Sequence, residues 1–468
     1  MMNFRLWPLL SAVMVLGISG CATGPLLILE ATDVPSDWEQ AIVLDASVWP
    51  EANWWTGFSS TELDGIIAAV QAGNLDLAAA EQRIRQADAR IRIVGSSLLP
   101  RIGAGLSGSR SGDVGNASSF GDSLGANFST SYELDFWGRN RENLQAAQAS
   151  GAATRADRET VALTAVSAAA NTYFQVLSLR ERLAIARLNL EVAQSVLEVT
   201  EARVRNGVAT PLELSQQLGT IAGQRAVIPQ LEQQVLETRA ALALLTGRTP
   251  EGFSIAGENL DEMVTPIIAP GLPSDLLLRR PDIVAAEADL VAANANLAAA
   301  RAALFPSISL SAGSGLSSDT LIGLLSNSAL ALSIGAGLSQ TIFDAGARQA
   351  QSDAATAAEL ETLANYRNVV ISAFADVEIA LGNIANLAEQ EIYEIEQAEQ
   401  AQFAFDIISA QYREGAVDFL TLLDAQRSLY QARDSLGQIK LSRLQSMVAL
   451  FQALGGGWHA ENIFLSGN

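Results

Sequence analysis

Two stretches of this chain are too long and too uninterrupted to be helices of a compact globule. Residues 138–206 contain no proline and one internal glycine, Gly151. At about 1.5 Å per residue, a continuous helix of this length would approach about 100 Å. Residues 345–414 form a second such stretch, and each stretch ends at a glycine, Gly207 or Gly415, before a returning helical segment. The sequence therefore predicts two long helical hairpins with tip turns at Gly207 and Gly415.

Within the first stretch, apolar residues step by four and three, which is the spacing of coiled-coil packing. They are Leu179, Leu183, Ala186, Leu190, Ala193 and Leu197. We therefore expect this helix to pack lengthwise against a neighbour, as in a paired hairpin or a tube.

The two hairpins belong to two similar halves of the chain. Residues 75–102 align with residues 281–308, and the alignment matches Pro100 with Pro306. Each half has an alanine-rich helix that ends at this proline, then two segments of alternating polarity, then a long hairpin. This duplication means that one structural description serves both halves.

Four segments alternate between apolar residues and small polar residues: 101–112, 124–136, 307–317 and 330–343. Because successive strand side chains point to opposite faces, the pattern predicts a sheet with one apolar face and one Gly/Ser face. Transmembrane strands have this length and alternation. The alternative is a soluble antiparallel sheet with one buried face, although strands facing bulk water usually carry more Lys, Glu and Thr.

The number of strands predicts an oligomer. Four strands cannot close a barrel, since about eight is the practical minimum. Open sheet edges are not tolerated in lipid. The predicted fold is therefore mainly helical, with long helices in a paired hairpin or a tube-like α-helical barrel, and with a transmembrane β-barrel that several chains share. The strand number does not fix how many chains take part.

The N-terminus has the features of a lipoprotein precursor. Residues 1–20 have one basic residue, Arg5, and an apolar run too short for a membrane-spanning helix, as in a signal peptide. Residues 18–21 (ISGC) resemble a lipobox, in which the cysteine thiol receives a diacylglyceryl group. Cys21 is the only cysteine in the chain, so no intramolecular disulfide can form. We therefore predict a covalent lipid on Cys21, with no other cofactor.

These observations give a predicted order of segments along the chain. The segments are the signal peptide (1–20), a lipidated N-terminal segment (21–59), the first repeat (60–246), an equatorial linker (247–273), the second repeat (274–454) and an equatorial tail (455–468).

Composition and motifs argue against enzymatic, metal-binding and nucleic-acid-binding functions. The formal net charge is -22, whereas phosphate binding needs a basic face. His459 is the only histidine, which leaves no histidine-rich metal site and weakens any catalytic triad. The glycines at 103, 105 and 108 match a dinucleotide fingerprint as text, but they lie within an alternating strand rather than before a helix. We predict neither catalytic nor metal-ligating residues.

Several motifs resemble the outer-membrane factor (TolC-like) channels, specifically their lipoprotein subgroup. Residues 54–58 (WWTGF), followed by Asn74, Leu77 and Ala80, are similar to the start of these channels. Residues 278–283 (LRRPDI) and 305–308 (FPSI) are highly specific matches, as is Gly415 with residues 420–426 (LTLLDAQ). The resemblance covers nearly the whole mature chain.

The resemblance implies a homotrimer whose chains contribute four strands each to a twelve-stranded barrel in the outer membrane. Its helices would form a periplasmic tunnel that works with a periplasmic adaptor and an inner-membrane pump of the resistance-nodulation-division type. The implied function is export of drugs or other small molecules. The remaining alternatives are a duct for type I protein secretion and, in another class, a lipid-anchored periplasmic coiled-coil scaffold.

Members of this family gate at the periplasmic tip. Tyr412 and Asp424 match the gate tyrosine and aspartate, and Arg413 lies beside them. The chain departs from the family at two positions: Gln411 replaces a frequent arginine, and Arg205 replaces a frequent aspartate. We therefore expect a latch other than the usual inter-helix salt bridge at the tip.

Overall fold

The structure is a computed structural model. It describes residues 35, 37–39, 49–112, 121–261, 263–266, 268, 271–320, 322, 324 and 329–459. The predicted signal peptide 1–20 and the predicted lipidation site Cys21 lie outside the described residues, as do most of the N-terminal segment 21–59 and residues 460–468 of the tail.

Seven α-helices and four strands form the described part of the two halves, and the elements follow the same order in both. The helices are α1 (Thr61–Gly73), α2 (Leu75–Gly95), α3 (Arg139–Arg205), α4 (Pro211–Leu245), α5 (Pro281–Ala302), α6 (Ala347–Glu414) and α7 (Phe419–Ala453). The strands are β1 (Arg101–Ser111), β2 (Gly121–Leu134), β3 (Ser307–Ser318) and β4 (Ala329–Ser339). The halves differ at their start, because α1 has only a short 3-10 helix, Pro273–Leu278, as its counterpart.

The strands form one antiparallel sheet in the order β1-β2-β3-β4. Its register aligns the apolar side chains: Phe128 pairs with Ala104, and Leu310 pairs with both Tyr132 and Ala336. Ile334 is 92% exposed in the single chain. The opposite face carries Gly and Ser. The predicted two-faced sheet is confirmed, and its exposed apolar face is a surface that lipid would cover.

The strand bounds differ from the predicted ones at the helical end of the sheet. The second strand ends at Leu134 instead of residue 136, and the fourth ends at Ser339 instead of residue 343. Their partner β3 begins at Ser307, directly after Pro306. Proline has no N–H for a ladder bond, so pairing stops at the same level in both neighbours. The other two predicted strands, 101–112 and 307–317, match within one residue.

The first alanine-rich helix ends earlier than predicted. It ends at Gly95 rather than Pro100, and a 3-10 turn follows. The hydroxyls of Ser96 and Ser97 each donate a 2.7 Å hydrogen bond to a carbonyl of the last helical turn. Such local side-chain bonds compete with regular helical bonding.

The long helices are capped at both tips. Thr210 and Glu213 form a capping box at the start of α4, with Pro211 as the first helical residue. Asp418 caps α7 through the Thr421 N–H at 2.8 Å. Gly415 has φ +80°, a left-handed conformation that ends α6 without the steric cost of a side chain.

The coiled-coil row in α3 is only partly as predicted. Leu179, Ala186 and Ala193 are buried as expected. Between and beyond them, Asn189, Val196 and Thr200 are buried in place of Leu190 and Leu197. Near the tip, the buried face of α3 is therefore shifted around the helix from the predicted one, because α3 packs there on α7 as well as on α4.

The main core lies midway along the molecule, where both halves and the N-terminal segment meet. Phe58 and Phe174 are fully buried with ring centroids 5.0 Å apart, and Trp54 stacks on Phe451 at 4.7 Å. From this equator, α2 and α5 lead to the sheet, while α4 and α7 lead to the tip.

Two helices, α5 and α6, are long and apolar enough for a membrane span by length and composition. In this chain both are packed helices, because α5 packs on α3 and α6 packs on α7.

Candidate functional site

The tip of the two hairpins contains the residues that the sequence analysis selected for a gate. Gly207 and Gly415 occupy the two turns with φ +72° and +80°. Both turns therefore need residues that tolerate a left-handed backbone. An ideal Cβ placed on Gly415 would lie 3.5 Å from an Arg203 nitrogen, so the second turn also sits close to α3.

Tyr412 is the centre of the tip. Its side chain is 1% exposed and its hydroxyl donates to a Glu213 carboxylate oxygen at 3.3 Å. The same hydroxyl lies 3.5 Å from that of Thr200. The ring packs edge-on against Phe419, with centroids 5.9 Å apart. One side chain thus joins α6 to both helices of the first hairpin.

Arg203 holds Tyr412 from the side of α3. Its Nη1 donates to the Tyr412 carbonyl at 2.5 Å, and its guanidinium carbon lies 4.6 Å from the centroid of the tyrosine ring. The carbonyl belongs to the last turn of α6, where a cation also complements the helix dipole. Burial, followed by the nearby Glu213, raises the pKa of Tyr412 above its ordinary value, so the hydroxyl stays protonated as a donor.

The other predicted gate residues lie on the surface of the single chain. Asp424 is exposed and approaches Arg427 at 4.0 Å. Arg205 approaches Glu201 at 3.8 Å, one turn away on its own helix. Gln411 and Arg413 are exposed. Within one chain, Tyr412 is therefore joined to α3 and α4, whereas these four side chains face outward.

Sequence reasoning missed the three partners of Tyr412. Thr200 lies seven residues after Ala193, so the heptad spacing could have indicated its burial. Glu213 is part of a capping-box pattern that is visible in the sequence, T-x-x-E from Thr210. Arg203 had no comparable signal, because its partner is 209 positions away.

A second polar layer lies farther from the tip, between α3, α6 and α7. Tyr430 donates to the Asn189 carbonyl at 2.8 Å, and Arg433 donates to the Asn189 side-chain oxygen at 2.9 Å. Arg433 also donates to Gln402 on α6 at 2.5 Å. Burial raises the pKa of Tyr430 to about 12 and lowers that of Arg433. This layer joins the two hairpins at a fixed register, as buried polar groups do in coiled coils.

At the equator, the RRPD segment links the second half to the rest of the chain. Arg280 donates to Asp282 at 2.7 Å, to Asp376 at 3.0 Å and to the Ala453 carbonyl at 3.2 Å. Burial alone would lower the pKa of Arg280, but the two carboxylates outweigh it and raise the pKa. Arg279 instead lies over the Trp49 ring at 4.4 Å.

No cluster of three or more His, Cys, Asp or Glu side chains with metal-binding geometry occurs among the described residues. The ring of His459 lies near Arg279, at 2.9 Å. The contacts described at the tip and at the equator are packing contacts, hydrogen bonds and ion pairs.

Comparisons with known proteins identify this architecture. The model of the outer membrane efflux protein family matches residues 66–248 and 272–456. The chain is 41% identical to the pyoverdine export outer membrane protein OpmQ of Pseudomonas putida, over 92% of this chain and 93% of the relative. It is 31% identical to the cation efflux system protein CusC of Escherichia coli, over 96% and 98% of the two chains.

The fold agrees with solved structures of such channels. The open-state MtrE outer membrane channel of Neisseria gonorrhoeae superposes with a TM-score of 0.84, at 28% identity, over 94% of this chain and 99% of MtrE. The chain belongs to the outer membrane efflux protein family. It is the outer-membrane duct of a tripartite efflux system and not an enzyme. The resemblance seen in the sequence is thereby confirmed, together with the helical barrel, the β-barrel and the outer-membrane location.

Proposed function

We propose that three copies of this chain form one continuous duct that carries small molecules through the outer membrane. The observation that carries the proposal is the pair of open edges. Among the described residues of one chain, β1 pairs only with β2 and β4 only with β3. Four strands cannot close, so each β4 would pair with the β1 of a neighbour. Three chains give the twelve strands that the resemblance implies.

The helices support the same closure. On the sheet side of the equator, they pack in the order α2, α3, α5, α6, and on the tip side in the order α4, α3, α7, α6. In both rows, α6 lies at one end, on the same side as β4. A head-to-tail contact repeated around a rotation axis therefore closes the sheet, the sheet-side row of helices and the tip-side row of helices together.

We propose that a lipid on Cys21 anchors this duct. Trp38 follows Cys21 by seventeen positions, and its indole donates to the Gly271 carbonyl at 2.7 Å near the equator. An extended chain of this length spans at most about 60 Å. The helix α5 leads from the equator to the sheet over 22 residues, or about 33 Å. The tether is therefore long enough for its lipid to enter the periplasmic leaflet.

The partners that we propose are a periplasmic adaptor and an inner-membrane pump of the resistance-nodulation-division type. The relatives named for pyoverdine export support a secreted small compound as cargo, and pyoverdine is the cargo we would test first. A strain lacking this chain should retain such a compound inside the cell envelope, and the compound should reappear in the medium when the chain is restored.

The assembly and the anchor can be tested in one measurement. In native mass spectrometry of the detergent-solubilised mature protein, we expect the mass of three chains 21–468, each heavier by a lipid adduct. Cys21→Ser should lose the adduct and keep the trimer, because the closing contacts do not involve Cys21. A lipid-free monomer that is stable in detergent would contradict the shared barrel.

At the tip, we propose that Tyr412 and Asp424 control passage, with Arg413, Arg205 and Gln411 on the surrounding surface. Asp424→Ala should leave the trimer intact but increase ion leak through channels reconstituted in planar bilayers. We expect this leak because the three exposed Asp424 carboxylates around the axis bind positive charges of neighbouring chains, and alanines cannot. Unchanged conductance would remove Asp424 from the gate.

A further inference from the structure

We propose that an acidic edge of α6 pairs with a basic edge of α4 in a second copy of this chain, with residues at the same height along the tube facing each other. The proposal rests on the trimeric duct proposed above, and it names the charges that align its subunits. Between the equator and the tip contact of Tyr412 with Glu213, α4 and α6 are the outer helices of the row. A ring of identical chains places each α4 beside the α6 of a neighbour.

The edge of α4 alternates between apolar and basic side chains. Leu218, Arg225, Leu236 and Arg239 lie 7, 14, 25 and 28 residues from Pro211, where the helix begins at the tip. Leu218 and Leu236 are 48% and 47% exposed. Arg225 is exposed and Arg239 is half-buried.

The edge of α6 alternates in the same order, with acidic residues in place of basic ones. Ile407, Glu399, Ile392 and Glu389 lie 7, 15, 22 and 25 residues from Glu414, where this helix ends at the tip. Ile392 is 64% exposed, and both glutamates are exposed. The first residue of one edge corresponds to the first of the other, and so on along both helices. At about 1.5 Å per residue, corresponding residues differ in height by no more than about 5 Å.

The tip ends of α4 and α6 lie at the same height along the tube. Tyr412 on α6 donates to Glu213 on α4, and each residue lies two positions from the tip end of its helix. The tip ends of the two helices are thus level within one chain. Rotation about an axis along the tube preserves height, so they are also level between neighbours.

Charge and burial favour this partner. Arg225, Arg239, Glu389 and Glu399 form no ion pair with another described residue of their own chain. Each chain carries a formal net charge of -22, so the copies repel one another unless opposite charges meet where they touch. Complementary charges at an edge also fix its register. Ile392 and Leu236 are exposed in the single chain, and the same contact would bury their apolar surface.

Charge reversal tests the pairing of Arg225 with Glu399. In the mature full-length protein in detergent at low salt, we expect Arg225→Glu to lower the trimer-to-monomer ratio at least about tenfold in native mass spectrometry, since like charges then face each other. Glu399→Arg should have the same effect. The two substitutions together should restore the trimer, because they exchange the charges.

Two controls make the result specific. Arg187→Glu changes the charge equally, but Arg187 pairs within its own chain with Glu232 at 2.9 Å, so the trimer should persist. Arg225→Glu with Glu389→Arg should fail to restore the trimer, because Glu389 lies about 15 Å higher than Glu399. The proposal is overturned if Arg225→Glu behaves like Arg187→Glu, or if the mismatched pair is restored equally well. A wild-type protein that is not trimeric would instead contradict the proposed function.

Discussion

Arg280→Ala should destabilise the equatorial region by about 3 kcal/mol, which is at the low end of the cost of breaking a buried ion pair. The Arg280 side chain is 11% exposed and binds two carboxylates and the Ala453 carbonyl near the end of α7. Its removal leaves Asp282 without its charge partner. Asp376 is 52% exposed and remains hydrated, which keeps the loss below the upper end of the range.

The matched control for this prediction is the neighbouring residue. Arg279→Ala removes the same charge, but Arg279 lies over the Trp49 ring near the surface, where such a contact contributes about 0.5–1 kcal/mol. Thermal unfolding followed by circular dichroism at equal protein concentration should therefore show a much larger fall in the midpoint for Arg280→Ala. Equal shifts for the two variants would mean that Arg280 does not hold the equator together.

The sheet could be predicted closely because its signal is local. Alternation within each strand gives the two faces, and the structure places Ile334 and Gly335 on opposite faces as the pattern requires. The strand ends could not be predicted from alternation, because they depend on a neighbour. The hydrophobic alternation continues to Ile342, yet strand pairing stops at Ser339, since the partner strand begins after Pro306.

The candidate site was only partly predictable for a related reason. Gly415 and the tip turn are visible as a glycine after a long uninterrupted helix, and Tyr412 came from the family resemblance. The burial of Tyr412 depends on Thr200, Arg203 and Glu213, which belong to the other half of the chain. No periodicity within one helix specifies which residue of a distant helix it meets. The surface positions of Asp424 and Arg205 in one chain follow from the same long-range packing.

Arg203→Ala should open the tip. Arg203 contributes a charge-assisted hydrogen bond to the Tyr412 carbonyl and a cation–π contact to its ring. Together these contacts stabilise the position of α6 against α3 by about 2 kcal/mol. If they hold the closed arrangement, their loss raises the open-to-closed ratio about thirtyfold for each chain, since about 1.4 kcal/mol is a factor of ten.

The measurement is the resting conductance of single channels in planar bilayers, and two variants give its scale. Arg187→Ala removes the same charge from α3 about 24 Å from Arg203, where Arg187 makes an exposed contact with Glu232, so its conductance should match that of the wild type. Tyr412→Phe keeps the ring under Arg203 but loses the bond to Glu213, so its leak should lie between those of the wild type and Arg203→Ala. If Arg203→Ala conducts like Arg187→Ala, the contact seals no gate, and the buried tyrosine serves only to pack the two hairpins together.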